Sequence, residues 1–145
     1  MLPVVLALIF VPAASAGLPN PCGLLTNAEV AKALGSKIVS REPTGTGRYR
    51  TCTWTGADLG GYAPMHRTLM VQVTSATKTQ FDKSARTTPG AVPVHEIGQE
   101  AYAETGHVPS VNVWQHGDAI WINASLVNDP VQTAKTVAKL AVKRL

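Results

Sequence analysis

Four histidines, His66, His95, His107 and His116, are the residues of this chain best suited to hold a metal, and their spacing argues against it. Zinc ligands come in close pairs such as His-x-x-x-His, because two imidazoles one helical turn apart can face one ion. His107 and His116 stand nine apart, with His116 at the tip of a predicted hairpin. No metal site and no cofactor is expected. Nucleophilic catalysis fares no better: no serine sits in a Gly-x-Ser-x-Gly elbow, and the only two cysteines, Cys22 and Cys52, are better used in a bridge. Glu96, Glu100 and Glu104 could supply carboxylates for acid–base work, but they sit beside a turn at Gly98, and no pattern separates them from surface charges. No catalytic residue is therefore assigned.

Recognition without chemistry remains. Val111–Gln115 and Ala119–Leu126 flank His116-Gly117-Asp118 and read as a β-hairpin. A two-residue Gly117-Asp118 turn sets Trp114 opposite Trp121 and Asn112 opposite Asn123, with Val111, Val113, Ile120 and Ile122 on the other face. Leu69, Val71 and Val73 alternate with Met70, Gln72 and Thr74, the period of two of a half-buried strand. If these strands are neighbours, Trp114, Trp121, Asn112, Asn123, Met70 and Gln72 share one face. Aromatics with a few amides suit a small molecule, a glycan or a protein partner; the competing use of the tryptophans is to fill a core.

These residues must be positioned by an exported domain. An apolar run from Met1 to Val11 leads into Ala14-Ser15-Ala16, the pattern of a secretory signal with a small-x-small cleavage site, so residues 1–16 are expected to be removed and 17–145 to form one domain. Pro3 and Pro12 interrupt the run, which is shorter than the roughly 20 residues that span a bilayer. Thiols pair in an oxidising compartment, so Cys22 and Cys52 are expected to form a disulfide. Thr26-Asn27-Ala28-Glu29 is a capping box that starts a helix ended by Gly35. Lys37–Glu42 reads as a strand, Pro43–Gly47 as a turn, Tyr49–Thr55 as the strand carrying Cys52, and 56–64 as a Gly-rich loop. A second helix is expected over Thr77–Arg86, with Phe81 and Ala85 one turn apart. Asp129-Pro130 opens a third, whose stripe of Val131, Ala134, Ala138, Ala141 and Leu145 lies opposite Lys135, Lys139 and Lys143. The fold class is α+β: an antiparallel sheet with helices packed on it and one disulfide.

The formal net charge is +4 and the pI about 9.3. The basic residues are scattered, with small groups at Arg48/Arg50 and along the last helix, so no nucleic-acid surface is expected. Solvated surface, or attraction to an acidic wall or anionic lipid, explains the charge. Pro21-Cys22-Gly23-Leu24-Leu25-Thr26 with Glu29-Val30 and Leu34-Gly35, then Cys52-Thr53-Trp54, then Ile97-Gly98-Gln99-Glu100-Ala101-Tyr102, resemble a family of small actinobacterial exported proteins and lipoproteins of unknown function. The resemblance spans nearly the whole chain after residue 16. It implies an antiparallel sheet with packed helices and supplies no catalytic residue; its members are often lipid-anchored, and Pro19-Asn20-Pro21 before Cys22 departs from the lipidation pattern. The expectation is a secreted or envelope-associated monomer that binds a small molecule, glycan or envelope protein. A secreted hydrolase or an enzyme inhibitor is the alternative.

Overall fold

The computed structural model describes residues 17–145; the expected signal segment, residues 1–16, lies outside the described residues. Three helices and seven strands follow one another as α1 (Asn27–Leu34), β1 (Ile38–Thr46), β2 (Tyr49–Asp58), β3 (His66–Ser75), α2 (Lys78–Thr87), β4 (Ala91–Val94), β5 (Glu100–Glu104), β6 (Ser110–Gln115), β7 (Asp118–Ser125) and α3 (Pro130–Ala141). The strands form one antiparallel sheet in the order β1-β2-β3-β7-β6-β5-β4. A three-stranded and a four-stranded meander are thus joined where β7 pairs with β3. The α+β expectation holds, including the bridge, with Cys22 and Cys52 joined across a Cα–Cα distance of 5.1 Å. No helix among the described residues is long and apolar enough to cross a membrane.

Alternation sorts the sheet into two faces. Cys52, Trp54, Leu69, Val71, Val73, Val111, Val113, Ile120, Ile122 and Ala124 are buried beneath α1 and α3, which also pack on each other. Trp54 is the largest wholly buried side chain. α3 contributes Ala134, Val137, Ala138 and Ala141; its small residues let the helix lie close over β6 and β7. On the opposite face lies α2, whose Phe81 packs on Tyr102.

α1 has eight residues, too few to be stable alone, and is tied at both ends. The expected capping box is present: the Glu29 amide donates to Thr26 Oγ1 (3.2 Å) and the Thr26 amide to Glu29 Oε2 (2.8 Å). Arg144 reaches back from the end of the chain to the Leu24 carbonyl (2.7 Å) and both Glu29 oxygens (2.8 and 2.7 Å). This bidentate pair holds the Glu29 carboxyl well down, to about 2, the Arg144 hydrogen bonds being the largest cause. At the other end Arg67 donates to the Leu34 and Gly35 carbonyls (3.0 and 2.9 Å), which a helix C-terminus leaves unpaired.

Several boundaries depart from expectation. β1 runs on through Pro43 to Thr46, and the turn is at Gly47-Arg48, not over Pro43–Gly47; β1 is an edge strand, where a residue without an N–H is tolerated. β2 continues to Asp58, so only 59–65 form the loop. A side chain at Gly56 would meet Ser36 and the Arg67 backbone, which explains a glycine inside this strand. β4 and β5 were not foreseen as strands. The last hairpin turns at His116-Gly117, both at positive φ (50° and 90°), rather than at Gly117-Asp118. A two-residue turn with both central residues left-handed matches the twist of the flanking strands. Trp114 therefore faces Ala119, Asn112 faces Trp121 and Ser110 faces Asn123.

Candidate functional site

The expected face exists, although its cross-strand pairs are re-dealt. Gln72 pairs with Trp121 and Met70 with Asn123 across β3 and β7, and Asn112 pairs with Trp121 across β7 and β6. All six expected ligand-binding residues, Trp114, Trp121, Asn112, Asn123, Met70 and Gln72, are half-buried on the sheet face away from α1 and α3. They do not form one site. Gln72, Asn112 and Trp121 line a cleft of about 420 Å³ between the sheet and α2, together with Thr74, Gln80, Phe81, Ser84 and Tyr102. Met70, Asn123 and Trp114 lie on the same face outside that lining.

Each of those three has another engagement or place. Trp114 donates its Nε1 proton to the Ala76 carbonyl (2.8 Å), fastening β6 to the start of α2. Asn123 donates from Nδ2 to the Pro109 carbonyl (2.7 Å) and accepts from Ser125 Oγ (3.1 Å), which ties β7 to the segment leading into β6. Met70 sits beside Thr53 of β2 on the part of the face beyond α2.

α2 supplies the other wall of the cleft. Thr77 caps it, and Gln80 completes a capping box by accepting from the Thr77 amide (2.8 Å), which leaves the Gln80 NH2 group to the cleft. Phe81 is the one buried residue of this helix and packs on Tyr102 with ring centroids 5.3 Å apart, tilted by 50°. Burial pushes the Tyr102 phenol up from its ordinary value. On the sheet side, Asn112 donates from Nδ2 to Glu104 Oε1 (2.9 Å), so its carbonyl oxygen remains as an acceptor. The cleft thus offers amide donors and acceptors around the Trp121 indole, and none of its eleven lining residues is Asp, Glu, His, Lys or Arg.

Phe81, Tyr102, Gln80 and Ser84 were not among the expected site residues. A signal for the first was present: Phe81 is the single large apolar residue of an otherwise polar helix, which implies one specific neighbour. Nothing in the order of residues says that this neighbour is Tyr102, twenty-one positions on.

Of the residues considered for chemistry, His95, Glu96 and Glu100 line one pocket of about 440 Å³ that also borders Phe81 and Tyr102, and the others lie elsewhere. His95, His107 and His116 are exposed, and His66 is half-buried with Nδ1 at 2.8 Å from the Gly56 carbonyl. Among the described residues no three His, Cys, Asp or Glu side chains come together as metal ligands would. Glu100 pairs with Lys78, which also holds Asp82 at 2.9 Å, and Glu104 holds Asn112. Glu96 is exposed and left-handed at φ 67°.

A second and larger cavity, about 880 Å³, lies on the other side of the molecule between α1 and α3. No family model, no curated protein and no solved structure matches this chain, so fold and site rest on its own residues.

Proposed function

We propose that this protein is an exported, non-catalytic binding module of the cell envelope, and that the cleft between α2 and the sheet takes a neutral, polyhydroxylated ligand such as a glycan. One observation carries the reading: the cleft combines an aromatic surface with amides and hydroxyls and has no charged side chain in its lining. Sugar rings present apolar C–H faces that stack on an indole and hydroxyls that pair with amides, whereas an anionic ligand would find no counter-charge in the lining and would approach the Glu104 carboxylate held by Asn112. The disulfide supports an oxidising compartment. The absence of a carboxylate or imidazole from the lining favours binding over hydrolysis, which needs an acid and a base within reach of the scissile bond.

An array of neutral envelope oligosaccharides, followed by calorimetry on those retained, tests the proposal. Trp121→Ala should weaken binding at least tenfold while lowering stability by only about 1–2 kcal/mol, because the ring is half-buried at an open cleft that refills with water. Equal binding by Trp121→Ala and the parent protein, or retention of acidic glycans alone, would overturn it.

A further inference from the structure

The cavity between α1 and α3 has a different chemistry from the cleft on the other face. Its lining joins apolar side chains, Ala33, Leu34, Val127 and Leu140, to three cations, Lys32, Arg67 and Lys139. Of the two carboxylates in the same lining, Glu29 is paired with Arg144, while Asp129 caps α3 by accepting from the Gln132 amide (2.9 Å) and keeps its charge, one against the three cations. Arg67 spends hydrogen bonds on three backbone carbonyls, which leaves its charge uncompensated, and Lys32 and Lys139 are exposed with no carboxylate partner among the described residues. The free charge of this cavity is therefore positive and sits above an apolar wall. Its volume falls within the roughly 300–1,000 Å³ usual for small-ligand sites.

A second observation concerns what surrounds this end of the molecule. Arg67 lies two residues past the loop 59–65, and its guanidinium also reaches the Leu126 carbonyl (3.3 Å), so the end of the loop, the α1 C-terminus and the β7–α3 connection converge at Arg67. The loop is held in shape: Asp58 Oδ1 accepts from the Gly60 and Met65 amides (3.0 and 3.1 Å), and the Leu59 amide donates to the Met65 carbonyl (2.8 Å). It nevertheless turns Leu59, Tyr62 and Met65 outward, with Tyr62 wholly exposed, and Leu126, whose carbonyl Arg67 holds, is 54% exposed. An ordered loop that keeps a tyrosine and aliphatic side chains in water, two residues before Arg67, has the composition of a membrane-interface contact.

We infer that the α1–α3 groove binds a single acyl chain bearing an anionic headgroup, taken up from a lipid surface on which the 59–65 loop rests. The chain would lie along Ala33, Val127 and Leu140, with its carboxylate or phosphate at Lys32, Arg67 and Lys139. This site is independent of the cleft at Trp121.

The test uses the purified protein with palmitate, with 1-hexadecanol as the uncharged counterpart, and with vesicles of equal phosphatidylglycerol and phosphatidylcholine. Palmitate should bind one to one by calorimetry, at least tenfold tighter than hexadecanol. Lys32→Glu with Lys139→Glu should weaken palmitate at least tenfold while the circular dichroism of the folded protein is retained, since both side chains are exposed. Trp121→Ala should leave palmitate binding intact, which separates this site from the glycan reading. Co-sedimentation with the vesicles should be lost in Leu59→Ser with Tyr62→Ser. No saturable palmitate binding, indifference to the lysine reversals, or equal affinity for hexadecanol would overturn the groove assignment. Palmitate binding without co-sedimentation would overturn the lipid surface as its source.

Discussion

Reducing the Cys22–Cys52 bridge should cost this protein about 3.6 kcal/mol. The bond closes a loop of 30 residues. In the chain-entropy treatment that closure removes about 12 cal/mol/K from the unfolded ensemble, or about 3.6 kcal/mol at 25 °C. Against the roughly 5–15 kcal/mol of a typical domain this is a large share. The loop contains α1 and β1 and ends inside β2, so the loss has a place as well as a size. Once reduced, α1 is held by its capping box, by Arg144 and Arg67, and by burial of Val30 and Leu34. Amide exchange in α1 should accelerate ahead of exchange in β3 and β7, which lie at the centre of the sheet. Urea melts with and without a phosphine reductant, followed by both fluorescence and circular dichroism, measure the difference. A loss under about 1 kcal/mol with coincident transitions would refute the reasoning, because the reduced unfolded chain would then already be confined. A loss of more than about 6 kcal/mol would refute it in the other direction by showing that the bridge acts chiefly through native contacts.

Three further outcomes follow from individual residues. Glu29 is lowered from 4.5 to about 2 by Arg144, so the stability it contributes is present above pH 4.5 and is lost as pH falls toward 2; with Arg144 41% exposed, solvent screening reduces this to about 1 kcal/mol, and Glu29→Gln should flatten the acid limb of urea melts by that amount. Gly98→Ala should cost at least about 2 kcal/mol in the same melts, since Gly98 is left-handed at φ 61° and an added Cβ would collide with Val113. Trp54→Ala should cost about 3–5 kcal/mol, whereas Trp54→Phe should cost far less, because the buried indole N–H it removes has no hydrogen-bond partner.

The elements that read clearly are those whose signal is local. Both capping boxes, the Asp129-Pro130 start of α3 and the alternation of β3, β6 and β7 involve residues within one turn or a few positions, and all are present. β4 and β5 escaped because their signals depend on neighbours. β4 is four residues with Pro93 among them, at the sheet edge, where only one side needs a hydrogen-bonded partner. In β5 the alternation is inverted in size: Ala101 and Ala103 face the core cluster while Tyr102 faces α2. Small residues on the covered face and a large one on the other do not read as a core-facing pattern. The groove between α1 and α3 is not legible for a related reason, since Leu34 and Leu140 stand more than a hundred positions apart in the chain.

The tryptophan face, by contrast, survived an error in the turn that made it. Moving the turn back by one residue slides one strand past the other by two, which exchanges every cross-strand partner yet keeps each side chain on its face. A slip of one would have put Trp114 and Trp121 on opposite faces and turned either Val113 or Ile122 outward, against the burial of both. What alternation does not reveal is how much of a face is covered. That depends on α2, and α2 carries a single buried residue, Phe81, in ten. One such side chain can settle on Tyr102, but it cannot close three strands' width of sheet, so a cleft lined by Gln72, Asn112 and Trp121 stays open beside it. The openness of the site follows from the polarity of the helix above it: a second large apolar residue at Ser84, one turn from Phe81, would take up part of the cleft and cover more of the sheet.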